Sequence, residues 1–501
     1  MRIKIIVPPY VNQPLFLRMM PRSMTFFPPY GASCLASTLR NNGYSVSVED
    51  VSLLARNLKM PPIFLDNKRE LKSIVEYLRF DSPDKKIDRF ANELFKYISQ
   101  DGSEVIGFSI FSRLELVCAL LLAKKIKENT QAKIVLGGAL MTEYAALKSL
   151  QKMESILNNF KFVDFVIFGD GCVPFLALLE NIKGLRPIET VPNLAYRDKA
   201  NIAIREKTFY SIQDMPAPDF DGLDLDKYKA VQYEQIKNKK IEAFSKFFQL
   251  PYQLSRGCPQ GCSFCDCYLT DPQIVFKDPP KVINELWHLK ERYRARNFYF
   301  CECKINISYE YLERLCDGVI DNNLDIVWKA TAGVNNMDRN LLEKMKAAGC
   351  YALTWDIESG SDKLLEKMNK GFSSEKARQI LRLSHEIGIF NIIKLTSGFV
   401  QETDQDINMT IQFIKESAHY VEWARIFIFI LTPDTPIYNR PGAYGIENIF
   451  FDLRSSLGFG RLGFDENGGL KWGEKIIQQD MSFKKIRQAV DRYILAKKPT
   501  S

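Results

Sequence analysis

Three closely spaced cysteines in the second half of the chain are the residues best placed to carry out chemistry. Cys258, Cys262 and Cys265 are separated by three and then two residues in the stretch Cys-Pro-Gln-Gly-Cys-Ser-Phe-Cys. Three thiolates can converge in such a turn, which predicts a metal site. A structural zinc site needs four ligands and normally pairs two distant motifs. Three thiolates instead favour a 4Fe-4S cluster with one open iron, and the remaining alternatives are a zinc site and a group of free thiols.

The cysteine count supports a metal or redox site. The chain has 11 cysteines, and eight of them lie between Cys258 and Cys350. In a reducing compartment this grouping indicates metal or redox chemistry before it indicates disulfides. Cys301 and Cys303 end a predicted strand and could supply a second cluster or a ligand to the open iron, although small thiols are also common core residues.

The length and composition place these cysteines in a large folded protein. At 501 residues the chain is long enough for about three domains, which excludes a small disulfide scaffold. It is 46% hydrophobic and 26% charged, which disfavours extended disorder. A net charge of +8 is mild for this length, and we expect no nucleic-acid partner. No run approaches the roughly 20 apolar residues of a membrane span, so we expect a cytoplasmic protein.

The elements that must position the cysteines fall into two α/β regions. In the first region, strand-like runs alternate with helix-like stretches, which is typical of a parallel sheet with crossover helices. Residues 3–7 and 44–48 read as the two strands of a first βαβ unit. We predict a Rossmann-like, doubly wound domain over residues 1–190. A linker follows at 191–250, where the periodicity weakens.

A second alternation of strands and helices begins after residue 250 and contains six β/α units. Because a closed barrel has eight such units, we predict a partial (β/α)6 TIM barrel over residues 251–438. A small capping subdomain follows at 439–501. The cysteine motif comes just after the first strand of the barrel, and the carboxyl ends of strands are where a β/α fold places its ligands.

The motif and the six-unit barrel together resemble the radical SAM superfamily. The resemblance implies that Cys258, Cys262 and Cys265 hold a 4Fe-4S cluster and that Phe264 lies near the adenine of S-adenosylmethionine (SAM). It also implies that SAM chelates the open iron and is cleaved by one electron to a 5'-deoxyadenosyl radical. The electron would come from an external donor such as flavodoxin or ferredoxin.

Three further strand ends resemble segments that contact SAM in this family. Residues 355–361, Trp-Asp-Ile-Glu-Ser-Gly-Ser, resemble its GIESGS segment, which implies that Glu358 and Ser359 bind SAM. Glu358 could instead be a solvated carboxylate that caps the next helix. Glu302 stands where the family often has a carboxylate after the second strand, and Ser397 lies where a Gly-Leu-Pro-Gly-like stretch is usual.

The first region resembles the cobalamin-binding domain that precedes many radical SAM barrels. Glycines at the carboxyl ends of parallel strands let the backbone approach a ligand closely. Tight strand-to-helix turns also use glycine for geometry alone, so the domain could have kept the fold and lost the cofactor. The residues that the resemblance assigns to cobalamin are Tyr30, Gly31, Ser109, Ser112, Gly137, Gly138, Gly169 and Gly171.

The cobalt would have no histidine as its lower axial ligand. The chain lacks the Asp-x-His-x-x-Gly motif of cobalamin mutases, and its three histidines, His288, His385 and His419, all follow residue 250. A weak or missing lower ligand favours Co(I), a nucleophile that can take a methyl group.

The resemblance therefore implies a cobalamin-dependent radical SAM enzyme that methylates an unactivated carbon through methylcobalamin and the 5'-deoxyadenosyl radical. One alternative is a ring closure, oxidation or rearrangement without methyl transfer. The other is a metal-stabilised binding module. A peptide, a lipid or a natural-product intermediate would each be a compatible substrate.

Overall fold

The protein consists of two compact α/β units. The first unit includes Met1–Lys246, and the second consists of Phe247–Asp452 and Arg461–Ser501. In the described parts of the chain, no helix has both the length and the apolar character needed to cross a membrane. The computed structural model describes residues 1–9, 27–55, 68–80, 84–146, 150–237, 248–267, 273–452 and 461–496.

Seven strands form the sheet of the first unit: β1 (Arg2–Val7), β2 (Ser45–Asp50), β3 (Val105–Ser109), β4 (Lys133–Gly137), β5 (Phe165–Ile167), β6 (Leu194–Asp198) and β7 (Asn201–Ile204). Their order across the sheet is β2-β1-β3-β4-β5-β6-β7. β1 to β5 are parallel, and β6 and β7 add antiparallel pairs at one edge. The 2-1-3-4-5 order of the parallel strands is that of flavodoxin-like folds, which confirms the predicted doubly wound domain.

Helices cover both faces of this sheet, so its central strands are mostly apolar. In β1, Ile6 packs into one apolar cluster, whereas Ile3 and Ile5 pack into the cluster on the opposite face. The helices are α1 (Tyr30–Asn41), α2 (Val51–Leu54), α3 (Lys68–Phe80), α4 (Lys85–Phe95), α5 (Arg113–Asn129), α6 (Ala139–Ala146), α7 (Leu150–Asn159), α8 (Cys172–Ile182) and α9 (Leu225–Lys237).

The stretch 191–250, for which we predicted a linker, is structured as far as residue 237. It contributes β6, β7 and α9 to the first unit. Its periodicity is weak because β7 is a short, half-buried edge strand. The turn between the two strands includes Lys199, whose φ of 54° is in the left-handed region.

The strands of the second unit are β8 (Gln249–Tyr252), β9 (Ser255–Arg256), β10 (Val275–Phe276), β11 (Asn297–Phe300), β12 (Val327–Ala332), β13 (Cys350–Glu358), β14 (Phe390–Ser397), β15 (Trp423–Ile428), β16 (Ile446–Asp452) and β17 (Arg461–Glu466). Six of them, β8 and β11 to β15, form one parallel sheet in chain order. This order confirms the predicted (β/α)6 barrel. β8 and β15 are the two edges of the sheet, so the barrel is open between its first and last strands.

Helices cover one face of the barrel strands. For example, the Trp328 indole of β12 donates a 2.8 Å hydrogen bond to the carbonyl of Ala348, which follows the helix Arg339–Ala347. The helices are α10 (Pro279–Tyr293), α11 (Tyr309–Asp321), α12 (Arg339–Ala347), α13 (Asp362–Lys367), α14 (Ser374–Glu386), α15 (Asp404–Ser417), α16 (Pro436–Asn439) and α17 (Trp472–Val490).

The residues after 438 contribute the β16-β17 hairpin and α17. Gln479 of α17 donates 3.1 Å hydrogen bonds to the carbonyls of Gly398 and Phe429, which follow β14 and β15. Phe464 and Trp472 join an apolar cluster with residues of the barrel. The C-terminal elements therefore fasten the last two barrel strands together.

Candidate functional site

The three motif cysteines lie in the loop that follows β8 and β9. Gly257 and Gly261 have φ angles of 92° and 64°, which L side chains rarely adopt, and they let this loop turn tightly. Cys258 and Cys262 are buried and Cys265 is half-buried, and all three thiols are free. The amide of Cys265 donates a 3.2 Å hydrogen bond to the carbonyl of Cys262. The motif is thus a single ordered turn.

The backbone of this turn is anchored to other segments of the barrel. The Ser263 amide donates to the Met368 carbonyl at 3.1 Å, and the Ile437 amide donates to the Ser263 carbonyl at 2.9 Å. The Asn369 side chain donates to the Gly261 carbonyl at 2.9 Å. Because these bonds connect distant parts of the chain, the thiol geometry is set by the barrel as well as by the local sequence.

The donor set of the turn fits a cluster better than a single ion. Among the described residues, Cys265, Asp266 and Cys267 offer ligand atoms that lie within 4.8 Å of one another, and Cys258 and Cys262 stand outside this group. A zinc ion needs four ligands around one centre. A 4Fe-4S cluster is held by thiolates on its separate irons, so thiols spread around a turn suit it.

Two lysines make the surroundings of Cys262 electropositive. Burial raises the pKa of the Cys262 thiol, and the ammonium groups of Lys370 and Lys304 lower it. Lys370 is buried, and Lys304 donates a 3.0 Å hydrogen bond to the Gln260 side chain in the same turn. These cations favour the thiolate form that a metal ligand must have.

Glu302, which follows β11, has a carboxylate oxygen without a partner. Its Oε1 accepts a hydrogen bond from the Leu254 amide, whereas its buried Oε2 has no hydrogen-bond partner within the described chain. Burial raises the pKa of Glu302 to about 7. Because an unsatisfied buried oxygen is costly, this position suits a ligand that brings its own donor, such as an ammonium group.

Glu358, at the end of β13, has an unusual backbone. Its φ of 72° lies in the left-handed region, and the β13-β14 register shifts between Asp356 and Glu358. Only 7% of Glu358 is exposed, and the residue at the N-terminus of α13 is Ser361. Glu358 is therefore a buried group at a strand end and not a solvated helix cap. Backbone strain of this kind clusters at functional sites.

Among the described residues, the side chains of Thr396 and Lys370 contact the Glu358 carboxylate, and neither was a predicted SAM-binding residue. The Thr396 hydroxyl donates to Oε2 at 2.6 Å, and the Lys370 ammonium lies 3.5 Å from Oε1. Thr396 adjoins the expected Ser397, so the strand-end position was a usable signal. Lys370 follows α13, outside every motif, and no signal indicated it.

The two serines predicted to bind SAM form hydrogen bonds within the protein. The Ser359 hydroxyl lies 3.2 Å from the Thr410 hydroxyl of α15. The Ser397 hydroxyl donates to the Phe427 carbonyl of β15 at 3.3 Å. These two serines hold neighbouring elements together at the strand ends.

Phe264, the aromatic residue of the motif, packs inside the barrel unit. Its ring meets that of Phe399 edge to face, with 6.2 Å between the centroids. It is half-buried against the apolar cluster that also contains Phe429 and Trp472.

The cobalamin candidates of the first unit all lie at the carboxyl end of its parallel strands. This end of the sheet includes the point between β1 and β3 where the strand order reverses, and doubly wound sheets bind ligands there. Ser109, Gly137 and Gly169 end or follow β3, β4 and β5, Tyr30 and Gly31 begin α1, and Ser112 and Gly171 precede α5 and α8.

The glycines at this edge differ in how much room they leave. A Cβ on Gly138, whose φ is 99°, would lie 2.5 Å from the backbone of Ile110, so packing alone explains that glycine. A Cβ on Gly31 or Gly171 would meet nothing within 4 Å. These two glycines therefore leave space at the sheet edge that a ligand could fill.

Side chains between the strand ends combine an apolar surface with hydroxyl groups. Phe111, just after β3, is 73% exposed, which suits a large apolar ligand surface. Ser112 is occupied as the N-cap of α5, in a capping box with Glu115. Thr142, which the sequence analysis missed, accepts a 3.0 Å hydrogen bond from the Gly169 amide and donates to the Gly138 carbonyl at 3.1 Å. The residues present fit a large flat cofactor at this edge.

Comparison with known proteins gives the same family for the barrel. The model of the radical SAM superfamily matches residues 252–414. An uncharacterized methyltransferase of Pyrococcus horikoshii is 23% identical over 364 residues, 71% of this chain and 72% of that protein. The cytidylyl-2-hydroxyethylphosphonate methyltransferase of Streptomyces wedmorensis is 22% identical over 384 residues, 72% of this chain and 67% of that protein.

A solved structure extends the likeness to both units. The radical SAM methyltransferase TsrM of Kitasatospora setae, solved with cobalamin and a 4Fe-4S cluster, has a TM-score of 0.67 and is 13% identical. The match covers 100% of this chain and 92% of that one. Residues 252–414 therefore match the radical SAM superfamily, and the whole chain shares its fold with a radical SAM methyltransferase that was solved with cobalamin bound.

Proposed function

We propose that this enzyme transfers a methyl group from SAM to an unactivated carbon, using a 4Fe-4S cluster and cobalamin. The observation that carries the proposal is that three free thiols and two buried carboxylates, Glu302 and Glu358, lie at the strand ends of one six-stranded barrel, where the Glu358 charge acts on the Cys262 thiol. This arrangement offers cluster ligands and a polar site for an amino acid ligand in one place.

Each group in the barrel has a distinct task in this proposal. Cys258, Cys262 and Cys265 hold the cluster, and the lysines near Cys262 stabilise its negative charge. The unpartnered oxygen of Glu302 accepts a hydrogen bond from the SAM ammonium group. Glu358, oriented by Thr396, accepts hydrogen bonds from the ribose hydroxyls. When bound, the cluster supplies the electron that cleaves SAM, and cobalamin supplies a methyl carrier.

Residues of the first unit form the surface that binds cobalamin in this proposal. Gly31 and Gly171 leave space at the sheet edge, and the exposed ring of Phe111 offers an apolar surface. The first 250 residues contain no histidine, so this unit supplies no imidazole to the cobalt. A cobalt without a strong lower ligand is suited to accept a methyl group.

The proposal also includes an external electron donor and a location in the cytoplasm. An external donor of the flavodoxin or ferredoxin type delivers the electron. None of the 11 cysteines forms a disulfide, which is the state expected in the reducing cytoplasm.

The proposal can be tested without knowing the substrate. The chain is reconstituted anaerobically with iron, sulfide and cobalamin, reduced, and incubated with SAM. We expect S-adenosylhomocysteine up to the amount of bound cobalamin, together with a change in the cobalamin absorption spectrum, and slow release of 5'-deoxyadenosine. Formation of 5'-deoxyadenosine without S-adenosylhomocysteine would favour the alternative, a ring closure, oxidation or rearrangement. If neither compound forms, the enzyme function proposed here is wrong.

A further inference from the structure

Two cysteines outside the three-cysteine motif lie in contact with each other. Cys267 comes two residues after Cys265, and Cys303 follows β11. The Cys303 thiol donates a hydrogen bond to the sulfur of Cys267, with 3.3 Å between the two Sγ atoms. Cys267 is half-buried and Cys303 is exposed. The pair can therefore be reached from solvent through Cys303, and the proposed function gives it no task.

The loop that carries Cys303 is fixed on both sides of this residue. The amide of Cys301 donates a 2.9 Å hydrogen bond to a carbonyl of β8, and the amide of Ile305 donates a 2.8 Å hydrogen bond to a carbonyl of β12. The Lys304 ammonium donates a 3.0 Å hydrogen bond to the Gln260 side chain of the cysteine turn. This bond and the thiol contact join the loop to the turn, so the surrounding structure holds the two thiols close together.

Two thiols held in this way can be converted into a disulfide with little movement. A disulfide has an S–S bond of about 2.0 Å, so the two sulfurs need to approach each other by roughly 1.3 Å. In a reducing compartment, disulfides are usually transient and serve catalysis or redox sensing. Cys316 and Cys350 provide a contrast, because each is only 1% exposed and lies out of reach of a dissolved oxidant.

The thiol pair adjoins both halves of the proposed cofactor site. The amide of Cys267 lies 3.5 Å from the Sγ atom of Cys265, to which it donates a hydrogen bond. Hydrogen bonds to the sulfurs of an iron–sulfur cluster influence its reduction potential. On the other side, Cys303 directly follows Glu302, whose carboxylate is buried. A covalent bond between Cys267 and Cys303 would therefore connect the neighbour of a cluster ligand to the neighbour of a SAM ligand.

We propose that Cys267 and Cys303 form a reversible disulfide that lowers the affinity of the neighbouring site for SAM. The effect on SAM rests on the proposed function, because that function assigns Glu302 to the SAM ammonium group. Drawing Cys303 toward Cys267 moves the backbone that carries Glu302. The carboxylate then leaves the position in which it accepts a hydrogen bond from SAM.

The oxidant in this reaction is a low-molecular-weight disulfide. The exposed Cys303 attacks one of its sulfurs as the thiolate, forms a mixed disulfide and releases one thiol. Cys267 then attacks the Cys303 sulfur and releases the second thiol. Two protein S–H bonds are replaced by one S–S bond, and the two electrons and two protons leave in the two released thiols. A dithiol reverses the reaction by the same exchange.

The disulfide is tested on the cluster-loaded, cobalamin-loaded full chain. The protein is incubated anaerobically with oxidised glutathione, alkylated in denaturant, digested with trypsin and analysed by mass spectrometry. We expect a cross-link between peptides 257–277 and 297–304 that dithiothreitol removes. Cys267→Ser and Cys303→Ser should each lose this cross-link. Cys301→Ser is the matched control, because Cys301 lies in the same peptide as Cys303, and this variant should keep it.

Equilibrium dialysis with SAM measures the consequence for the site. After treatment with oxidised glutathione, the unaltered protein should bind SAM about tenfold more weakly, as loss of a hydrogen bond to a charged group implies. Dithiothreitol should restore the affinity. Cys303→Ser should bind SAM equally well before and after the treatment. The cluster absorbance is recorded on the same samples and should not change.

Three results would overturn the proposal: no cross-link in the unaltered protein, a cross-link that persists in Cys303→Ser, or unchanged SAM affinity in the cross-linked protein. A fourth is failure of Cys267→Ser or Cys303→Ser to load the cluster, which would make the pair cluster ligands. Absence of SAM binding by the reduced protein would instead contradict the proposed function. The cross-link is measured without SAM or turnover, so the two failures can be told apart.

Discussion

The Thr396 hydroxyl donates a 2.6 Å hydrogen bond to Oε2 of Glu358 and so connects the ends of β13 and β14. The Lys370 ammonium lies 3.5 Å from the other carboxylate oxygen. Both oxygens of Glu358 are therefore positioned by side chains from two different segments of the barrel. A carboxylate held in this way can accept hydrogen bonds from a ligand without first being ordered.

Removing the Thr396 hydroxyl should weaken SAM binding. In Thr396→Val, Glu358 loses a hydrogen bond to a charged group, which is worth roughly 1.5–3 kcal/mol. We expect the SAM dissociation constant to rise by about tenfold, measured by equilibrium dialysis. Thr190→Val, at an exposed position of the first unit, is the control. Unchanged SAM affinity in Thr396→Val would remove Glu358 from the SAM site.

Cluster loading and cobalamin binding should be separable. Cys258→Ala removes one thiol of the cysteine turn, so it should abolish the absorbance of the reconstituted 4Fe-4S cluster while cobalamin stays bound. Cys316→Ala is a suitable control, because Cys316 is a buried free cysteine of α11. The assignment fails if Cys258→Ala loses both cofactors together or keeps both.

The buried Glu302 carboxyl should make the ligand-free protein less stable at higher pH. Its pKa of about 7 lies above the ordinary 4.5, so the folded state holds a proton that the unfolded state releases first. Stability contributed by this group is then present below about pH 4.5 and lost as pH rises through about 7, a difference of about 3 kcal/mol.

The measurement for Glu302 compares melting temperatures at pH 5 and pH 8. Glu302→Gln should gain stability over the unaltered protein at pH 8 and not at pH 5, whereas Glu310→Gln, at an exposed carboxylate of α11, should show no such difference. Saturating SAM should reduce the gain, because its ammonium group stabilises the ionised carboxylate. An equal effect of Glu302→Gln at both pH values would contradict a buried titrating group.

Two glycines of the cobalamin edge should respond differently to alanine. Gly138→Ala places a Cβ 2.5 Å from the Ile110 backbone and requires a φ of 99°, so it should lower stability by about 1–3 kcal/mol or more. Gly31→Ala meets nothing within 4 Å and should leave the melting temperature unchanged. If Gly31 faces cobalamin, the same variant should bind cobalamin more weakly in a spectrophotometric titration. Normal cobalamin affinity would remove Gly31 from that surface.

Much of this architecture could be predicted because its signals are local. Strand and helix patterns repeat along both units, and the three motif cysteines lie within eight consecutive residues, so their convergence needs no tertiary information. Glu358 could be predicted as a SAM-binding residue because it adjoins small residues at a strand end. The short antiparallel strands β6 and β7 were missed because their periodicity is weak.

The contacts that complete the site depend on tertiary structure. Glu358 precedes α13 and Lys370 follows it, yet the two side chains form an ion pair. The Thr142 hydroxyl forms hydrogen bonds with the backbone of both Gly138 and Gly169. No local pattern marks either contact.

Product analysis with candidate substrates tests the central claim most directly. The reconstituted, reduced enzyme is incubated with SAM carrying a deuterated methyl group and with candidate peptide, lipid and natural-product substrates, and the products are quantified by mass spectrometry. We predict a product that carries the labelled methyl group, formed together with S-adenosylhomocysteine and 5'-deoxyadenosine in equal amounts. A modified product that lacks the label and appears with 5'-deoxyadenosine alone would contradict methyl transfer.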